Sequence, residues 1–545
     1  MKVINKYPLL FVLLIACVIL LSHLSILETN IMEARNFISA REMISNNNWL
    51  LTTLNELPRY EKPPLPTWIT AVFGYVFGFE NLFFLRIPVV LSTLLLIYWF
   101  FKLNEILNFT KVQVVQNSLI LITSFYIFFS GRDNNWDMYT HSFMTGSLFY
   151  LVKHLQTSKK IIDLIVASVL LGFSFLSKGP VSLYALLLPF LLSYFIVFKI
   201  SVKENILKII YFLLIGIAIG TSWYIYVRVN DPTSFIKVAV VETSRWGNYN
   251  TRPFYYYWSF FIQSGLWTLP AVISLFYPYF KNKVSNKKLY QFSFFWTLLV
   301  VIFLSIIPEK KSRYLLPVLI PLAINIGFVM EYFTEKKVFR SPIEKTLIKF
   351  FFLFFLIICI SIPIAFWIIF KEPSNENCLW FAALTFSLLL IALYIAKNLF
   401  TEKFKGLFYA LVSIQIIILL FGFPLVYTNS YQLKIAKNIS LINSIESKNN
   451  MKTYSLNDAV PEIIYYYGKP IPLINLDSIQ SSTIPTPFGI ITSDENIVSK
   501  KFGKYQIDKI ATLNFNNEFL DPKKISERLI KNYYIVQLSV ETSEF

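Results

Sequence analysis

Long apolar runs alternate with short, lysine-rich polar joints through most of this chain, and the pattern changes near residue 427. A helix needs roughly 20 apolar residues to cross the hydrocarbon core of a bilayer. Runs of about that length lie near 8–27, 82–103, 113–130, 136–155, 161–177, 180–198, 209–228, 256–278, 289–307, 313–331, 348–371, 378–396 and 406–426, which predicts about thirteen spans. The apolar stretch from Leu65 to Phe79 is shorter and suits an interfacial helix. The opening MKVINKYPLLFVLLIACVILLSHLSIL resembles a signal peptide, with basic residues before an apolar run. No small-residue cleavage site ends it, and the run is long enough to span, so an uncleaved first helix is expected.

After residue 427 the spacing shortens. A helix is expected around Leu433 to Glu446, β-rich runs at Glu462 to Tyr467, Phe488 to Thr492, Ile510 to Phe515 and Tyr533 to Val540, and helical patterning around Lys523 to Lys531. The predicted organisation is a polytopic α-helical membrane domain over 1–427, with a first outer loop at 28–67, and an extramembrane α/β domain over 428–545.

Composition supports the membrane reading. The 545 residues are 55% hydrophobic, 18% aromatic and 15% charged, with a mean hydropathy of +0.55, whereas soluble domains average about a quarter charged. The net charge of +18 would suggest nucleic acid for a soluble protein. With the amino terminus in the cytoplasm, however, the lysine-rich joints gather on one side, from Lys2 and Lys6 through Lys199 and Lys203 to Lys397 and Lys405, as the positive-inside pattern requires. The excess is therefore topological, and no nucleic acid partner is expected. An odd number of spans puts the tail on the opposite face. Cys17, Cys359 and Cys378 have no CxxC spacing, and His23, His141 and His154 are scattered. Neither a disulfide framework nor a Cys/His metal cluster is indicated.

The first outer loop, ETNIMEARNFISAREMISNNNWLLTTLNELPRYEKPPLPT, is long for a connection between spans, and long loops tend to carry function. Ile31 to Ile44 reads as a surface helix. Glu28, Met32 and Arg35 share one face if that helix begins early enough. Tyr60, Glu61 and Lys62 precede Pro63 and Pro64, which impose an extended backbone. More charges recur at the same outer boundary: Arg132, Asp133 and Asp137, then Lys178 in SKGP, then Glu242, Arg245 and Arg252, then Lys310, Lys311 and Arg313 in PEKKSRYLLP. Singly, each reads as a flanking anchor. Together, carboxylates interleaved with Lys and Arg on one face describe a cavity for a lipid-linked anion.

The segment MEARNFISAREMISNNNWLLTTLNELPRYEKPPLPTWITAVFGYVFG resembles the opening signature of bacterial aminoarabinose transferase-like and protein O-mannosyltransferase-like membrane glycosyltransferases. GRDNNWDMYT, FLSKGPV and KKSRYLLPVLIP resemble their later motifs in the same order. The resemblance spans most of residues 1–330. It implies a GT-C fold in the bacterial inner (plasma) membrane, with the active site and tail facing the periplasm and a polyprenyl-phosphate-linked sugar as donor. The acceptor it implies is a lipid A-type glycolipid or another envelope component. One position departs from the family: where an Asp-Glu pair usually opens the loop, this chain has Met32 and Glu33. Methionine cannot act as a base, so Glu28 or Glu33 is the candidate replacement.

The expected site therefore has Glu28 or Glu33 on the acceptor side and Asp137 as a second carboxylate. Lys62, Arg245 and Tyr314 are assigned to the donor phosphate by the family pattern, and Arg35, Tyr60, Glu61, Arg132, Lys178, Lys311 and Arg313 complete the substrate-binding set. A carboxylate would take the acceptor proton and cations would stabilise the leaving phosphate. No metal is required, although clustered carboxylates leave room for a divalent cation. The alternatives are a protein O-mannosyltransferase acting on exported polypeptides, a transporter of a lipid-linked anion, and a catalytically silent scaffold.

Overall fold

The computed structural model describes residues 6–158, 160–334, 341–371, 377–426, 429–456, 460–474, 485–495, 498, 502, 505–516 and 525–538. Contacts divide the chain into two compact units. One comprises Met1–Ile26, Arg59–Phe73 and Leu82–Leu425, and the other comprises Leu27–Pro58, Gly74–Asn81 and Val426–Phe545.

The larger unit is a bundle of apolar helices. Among the described residues, eight are long and apolar enough to cross a membrane: Leu82–Ile106, Ile161–Lys178, Lys203–Asn230, Lys287–Ile306, Ser312–Thr334, Pro342–Ile369, Cys378–Phe400 and Phe404–Val426. Pro8–Leu21, Leu65–Phe77 and Leu183–Phe198 are shorter apolar helices. Burial separates inner helices from outer ones. Ser312–Thr334 is 89% buried over its apolar window, whereas Pro342–Ile369 and Cys378–Phe400 are 22% buried, so the last two present most of their apolar surface outward, as lipid-facing helices do.

Local chemistry sets the helix ends. Thr110 and Gln113 form a capping box that starts Lys111–Thr123, and Ser341 with Glu344 does the same for Pro342–Ile369, each satisfying amides that have no intrahelical partner. Small residues set the closest approach. A Cβ on Gly172 would meet the Ile219 side chain at 2.5 Å, and one on Gly216 would meet Leu171 at 2.5 Å. The Ile161–Lys178 and Val202–Asn230 helices can touch there only because both positions are glycine. Buried amides are paired across helices: Asn117 Nδ2 donates to Asn104 Oδ1 at 2.8 Å, and Asn325 Nδ2 to Thr297 Oγ1 at 2.9 Å.

Two expected spans take other forms. Residues 113–130 break at Ser124, whose backbone is extended, into Lys111–Thr123 and Phe125–Ser130. The 256–278 run is a 3₁₀ segment, Phe254–Trp267, interrupted at Ser259 and at Gly265 (φ 61°), then a short helix, Thr268–Ser274. Hydropathy alone does not register a left-handed glycine within an aromatic run.

In the second unit, helix Ile31–Ser45 is capped by Asn30, whose Oδ1 accepts from Met32 N at 2.8 Å and Glu33 N at 3.2 Å. A hairpin follows, with β1 (Thr53–Leu54) antiparallel to β2 (Leu57–Pro58). Asn55 and Glu56 both have positive φ at its turn, as a tight two-residue hairpin demands. Glu42 holds this turn, accepting from Thr53 Oγ1 at 2.5 Å and Glu56 N at 3.2 Å. Asn55 exchanges two hydrogen bonds with the Ile471 backbone, at 2.7 and 2.8 Å, and the Phe37 ring packs 5.3 Å from that of Tyr465. These contacts explain why 27–58, expected to belong with the membrane domain, groups with the tail.

The tail carries a four-stranded sheet in the order β3-β4-β6-β5, formed by β3 (Thr453–Ser455), β4 (Phe488–Thr492), β5 (Tyr505–Asn514) and β6 (Ile530–Leu538). The β3-β4 pair is parallel and the other two are antiparallel. Helix Asn429–Asn449 precedes the sheet, as the sequence predicts. The expected strand at Glu462 to Tyr467 is a helix, Pro461–Tyr467, because Pro461 opens it at N1 and Gly468 (φ 84°) closes it in the left-handed conformation. Of the helical patterning expected at Lys523 to Lys531, the described residues show one 3₁₀ turn, Glu527–Leu529, before β6, which carries Lys531. Lys523 and Lys524, and residues 539–540 of the last expected strand, lie outside the described residues.

Candidate active site

The site is assembled from helix ends of the larger unit. Asn135 caps helix Trp136–Lys153 through a 2.9 Å bond from Asp137 N, which places Asp137 in the first turn, where the helix dipole favours a carboxylate. Lys178 is the last residue of Ile161–Lys178, where the dipole favours a cation. Gly179 follows at φ 80°, a conformation available at little cost only to glycine, and Pro180 prevents the helix from continuing. Asp137 and Lys178 form an ion pair, each side chain 9% exposed. At that burial, the pair survives only because each charge has a near-ideal partner.

From Lys178 the charges continue into the PEKKSRY segment. Lys178 Nζ lies 5.0 Å from the Tyr314 ring centroid, and Tyr314 donates to Glu309 Oε1 at 3.2 Å. Lys311 Nζ pairs with the same oxygen at 2.6 Å and sits 4.8 Å over the Tyr249 ring. Glu309 thus holds both a cation and a phenol in place. Lys310, by contrast, directs its ammonium to the carbonyls of Ile307 and Arg252, at 2.6 and 3.1 Å, and stabilises the turn. The charge of Arg313 acts on both Asp137 and Lys178.

The Arg59–Lys62 segment meets this cluster from another direction. Arg59 pairs with Glu61 at 3.2 Å and lies 5.0 Å over the Trp136 ring. Tyr60 donates to Asp231 Oδ2 at 2.9 Å and packs edge-on to Trp223. Burial and the neighbouring Asp231 carboxylate raise the Tyr60 pKa. Bonds from the Ser234 side chain and amide hold the Asp231 carboxyl below its usual range. Lys62 Nζ is 4.0 Å from Glu242 Oε2, and Glu242 Oε1 takes a 2.6 Å bond from Arg245 one turn along helix Pro232–Asn248. The Lys62 ammonium is pushed down to about 8. Burial is the largest cause, although 27% of the side chain stays accessible; the Lys178 cation adds to it, and Glu242 and Glu61 oppose it.

Of the sequence-predicted residues, Tyr60, Glu61, Lys62, Asp137, Lys178, Arg245, Lys311, Arg313 and Tyr314 meet in this network. Arg132 does not. Its guanidinium bonds the Ile19, Leu20, Ser22 and His23 carbonyls at 2.5–3.2 Å, and Arg86 takes the Leu24 carbonyl at 2.8 Å. Ile19 and Leu20 lie in the last turn of the first helix, Pro8–Leu21, where carbonyls have no intrahelical partner, and Ser22, His23 and Leu24 follow it directly. Arg132 is a cap, so Arg132→Gln should cost about 2 kcal/mol of stability and leave anion affinity unchanged, as thermal unfolding and ligand titration in detergent would show.

Glu28, Glu33 and Arg35 belong to the other unit. Because Asn30 is the cap, Glu28 lies outside the helix and does not share a helical face with Met32 and Arg35. Glu33 is buried in the first turn. Sequence reasoning gave no role to Glu309 or Asp231. Glu309 stands inside the quoted PEKK motif, and Asp231 precedes Pro232 and Ser234 as a helix cap does, so both signals were present. Among the described residues, no three His, Cys, Asp or Glu side chains gather to hold a metal ion.

The bundle matches solved structures over nearly its whole length. With ArnT from Cupriavidus metallidurans bound to undecaprenyl phosphate, the TM-score is 0.70 at 16% identity, covering 97% of this chain and 98% of that one. The apo structure of the same protein gives 0.69. The chain is thus a multi-pass membrane protein of the GT-C fold with a strand-containing carboxyl-terminal domain. A family model described as dolichyl-phosphate-mannose-protein mannosyltransferase matches residues 61–226.

In sequence the chain is similar to undecaprenyl phosphate-alpha-4-amino-4-deoxy-L-arabinose arabinosyl transferases. It is 29% identical to transferase 1 of Proteus mirabilis over 333 residues, 58% of this chain and 59% of that one. It is 28% identical to the protein of Wigglesworthia glossinidia brevipalpis over 315 residues, 54% and 53%. The chain spans little more than half the length of the curated relatives it matches.

Proposed function

We propose that this protein is a membrane glycosyltransferase that moves a sugar from a polyprenyl phosphate donor to a lipid A-type or other cell-envelope acceptor. The observation that carries the reading is the convergence of Lys62, Lys178, Lys311 and Arg313 with Asp137 and Glu309, from four segments distant in sequence. A cation-rich cluster with fixed carboxylates suits a phosphate that must be held and then released. The relatives' names and the undecaprenyl phosphate bound to the similar fold support the same donor class. The proposed setting is the bacterial inner membrane, with the site and the 428–545 domain on the periplasmic face, opposite the lysine-rich joints.

In the reaction, an acceptor oxygen forms a bond to the anomeric carbon while the bond from that carbon to the phosphate oxygen breaks, leaving polyprenyl phosphate. Lys62, Arg245 and Tyr314 hold the donor phosphate, with Tyr60, Lys178, Lys311 and Arg313 around them. Fixed cations aimed at the leaving oxygen stabilise its growing charge without reorganising. Asp137, committed to Lys178, sets that cation's position. Glu33 or Glu28 takes the proton of a hydroxyl acceptor, or orients an ionised one, with Arg35 beside the acceptor. No resident metal enters the reading.

The test is to incubate purified protein with polyprenyl-phosphate-linked aminoarabinose and lipid A and to follow polyprenyl phosphate release. Release that depends on acceptor is expected, and absence of release with any sugar donor would overturn the assignment. Glu33→Gln is expected to slow turnover at least about a hundredfold if a hydroxyl is attacked, with the folded protein retained. Parent-like turnover in both Glu33→Gln and Glu28→Gln would remove the base from the scheme. The match to the mannosyltransferase model at 61–226 favours a second reading, transfer to exported polypeptides, which the same assay distinguishes by replacing lipid A with a Ser/Thr-rich peptide.

A further inference from the structure

Glu242 stands between two of the cations assigned to the donor phosphate. Its Oε1 accepts from Arg245 at 2.6 Å and its Oε2 lies 4.0 Å from Lys62 Nζ. One carboxylate thus faces both cations through separate oxygens, as a bridging phosphate would. The register is built into the chain. Two residues before Lys62, Tyr60 bonds Asp231 at 2.9 Å, and Asp231 caps the Pro232–Asn248 helix that carries Glu242 and Arg245. Of the neighbouring carboxylates, Asp137 is paired with Lys178 and Glu61 with Arg59. The two contacts of Glu242 are unequal. The Arg245 bond is short, whereas the Lys62 contact is at the limit of an ion pair, with both side chains more than a quarter exposed, which makes it weak.

We propose that Glu242 is an internal counter-anion, holding the place of the donor phosphate on Lys62 and Arg245 when the site is empty. It yields both cations when donor binds and returns to them as polyprenyl phosphate leaves. The inference rests on the donor reading above and adds a residue that sets affinity and product release. The donor's phosphodiester carries one negative charge, as a carboxylate does, so it wins the exchange through the further cations of the cluster, whereas the monoester product carries up to two. The displaced Glu242, left near the phosphate, weakens product binding by like-charge repulsion.

The test is binding of a short-chain polyprenyl monophosphate to the full-length protein in detergent micelles, by calorimetry. Glu242→Gln should tighten binding about two- to fivefold, the range expected for removing one partly exposed competing pair, and should strengthen product inhibition in the transfer assay. Glu242→Asp, which keeps the charge but shortens the reach to Lys62, should shift affinity the same way by less. In Lys62→Met/Glu242→Gln the gain over Lys62→Met alone should shrink. Unchanged or weaker binding in both Glu242 variants, with the parent melting temperature, would overturn the proposal. Failure of the parent protein to bind the probe would instead sink the donor reading on which it stands.

Discussion

Lys62→Met is expected to weaken polyprenyl monophosphate binding about a hundredfold, the scale of losing one desolvated charge-assisted contact. Lys62 follows directly on the Arg59–Glu61 pair and faces Glu242 and Lys178. Its depressed pKa adds a pH signature. The ammonium is charged below about 8 and neutral above it, so affinity for the anion should fall as pH rises through that value. Lys62→Arg, which stays charged, should flatten the curve. The linked effect on stability has the opposite sign. Between about 8 and the ordinary lysine value of 10.5, the unfolded chain binds the proton that the folded one releases, so the contribution of Lys62 to stability rises with pH over that window. A parent affinity that does not change from pH 7 to 9.5 would contradict the assignment of Lys62 to the phosphate.

Lys178→Met should destabilise the bundle by about 3–5 kcal/mol, the usual cost of leaving a buried charge without its partner. Asp137 and Lys178 are each 9% exposed, so water cannot readily replace the lost contact. The double variant Asp137→Asn/Lys178→Met should recover most of that loss, because no uncompensated charge remains, yet it should stay inactive for lack of the cation proposed to lie near the donor phosphate. Thermal unfolding in detergent, read beside the transfer assay, separates the two effects. If the single variant unfolds no earlier than the parent, the pair is not the strut that joins these helix ends.

The candidate site was legible in part. EKPP, SKGP and PEKKSRY each put a charge beside a proline or glycine that ends regular structure, and Lys62, Lys178 and Lys311 do meet in one network. Arg132 has the same local appearance, following Gly131 at the outer boundary, but caps the first helix. A stretch of sequence does not distinguish a guanidinium aimed at carbonyls from one aimed at a ligand, because the carbonyls lie more than a hundred residues earlier. Glu28 was misplaced for a local reason: Asn30, two residues on, is the stronger cap and starts the helix after it.

By itself the sequence determined that this is a membrane protein, where most of its helices lie and which joints carry the cations. Those properties follow from the length and polarity of contiguous segments, and burial in lipid acts on each segment separately. The tertiary structure alone decided which charges neutralise one another. Asp137 meets Lys178 across 41 positions, and Lys62 meets Glu242 from a different segment. It also turned the expected span at 256–278 into a 3₁₀ segment broken at Gly265 and drew the first loop into the unit that holds the tail. The physical reason is the range of the forces. Hydropathy is summed along the chain, whereas a buried charge is stable only beside its partner, and that partner is supplied by packing.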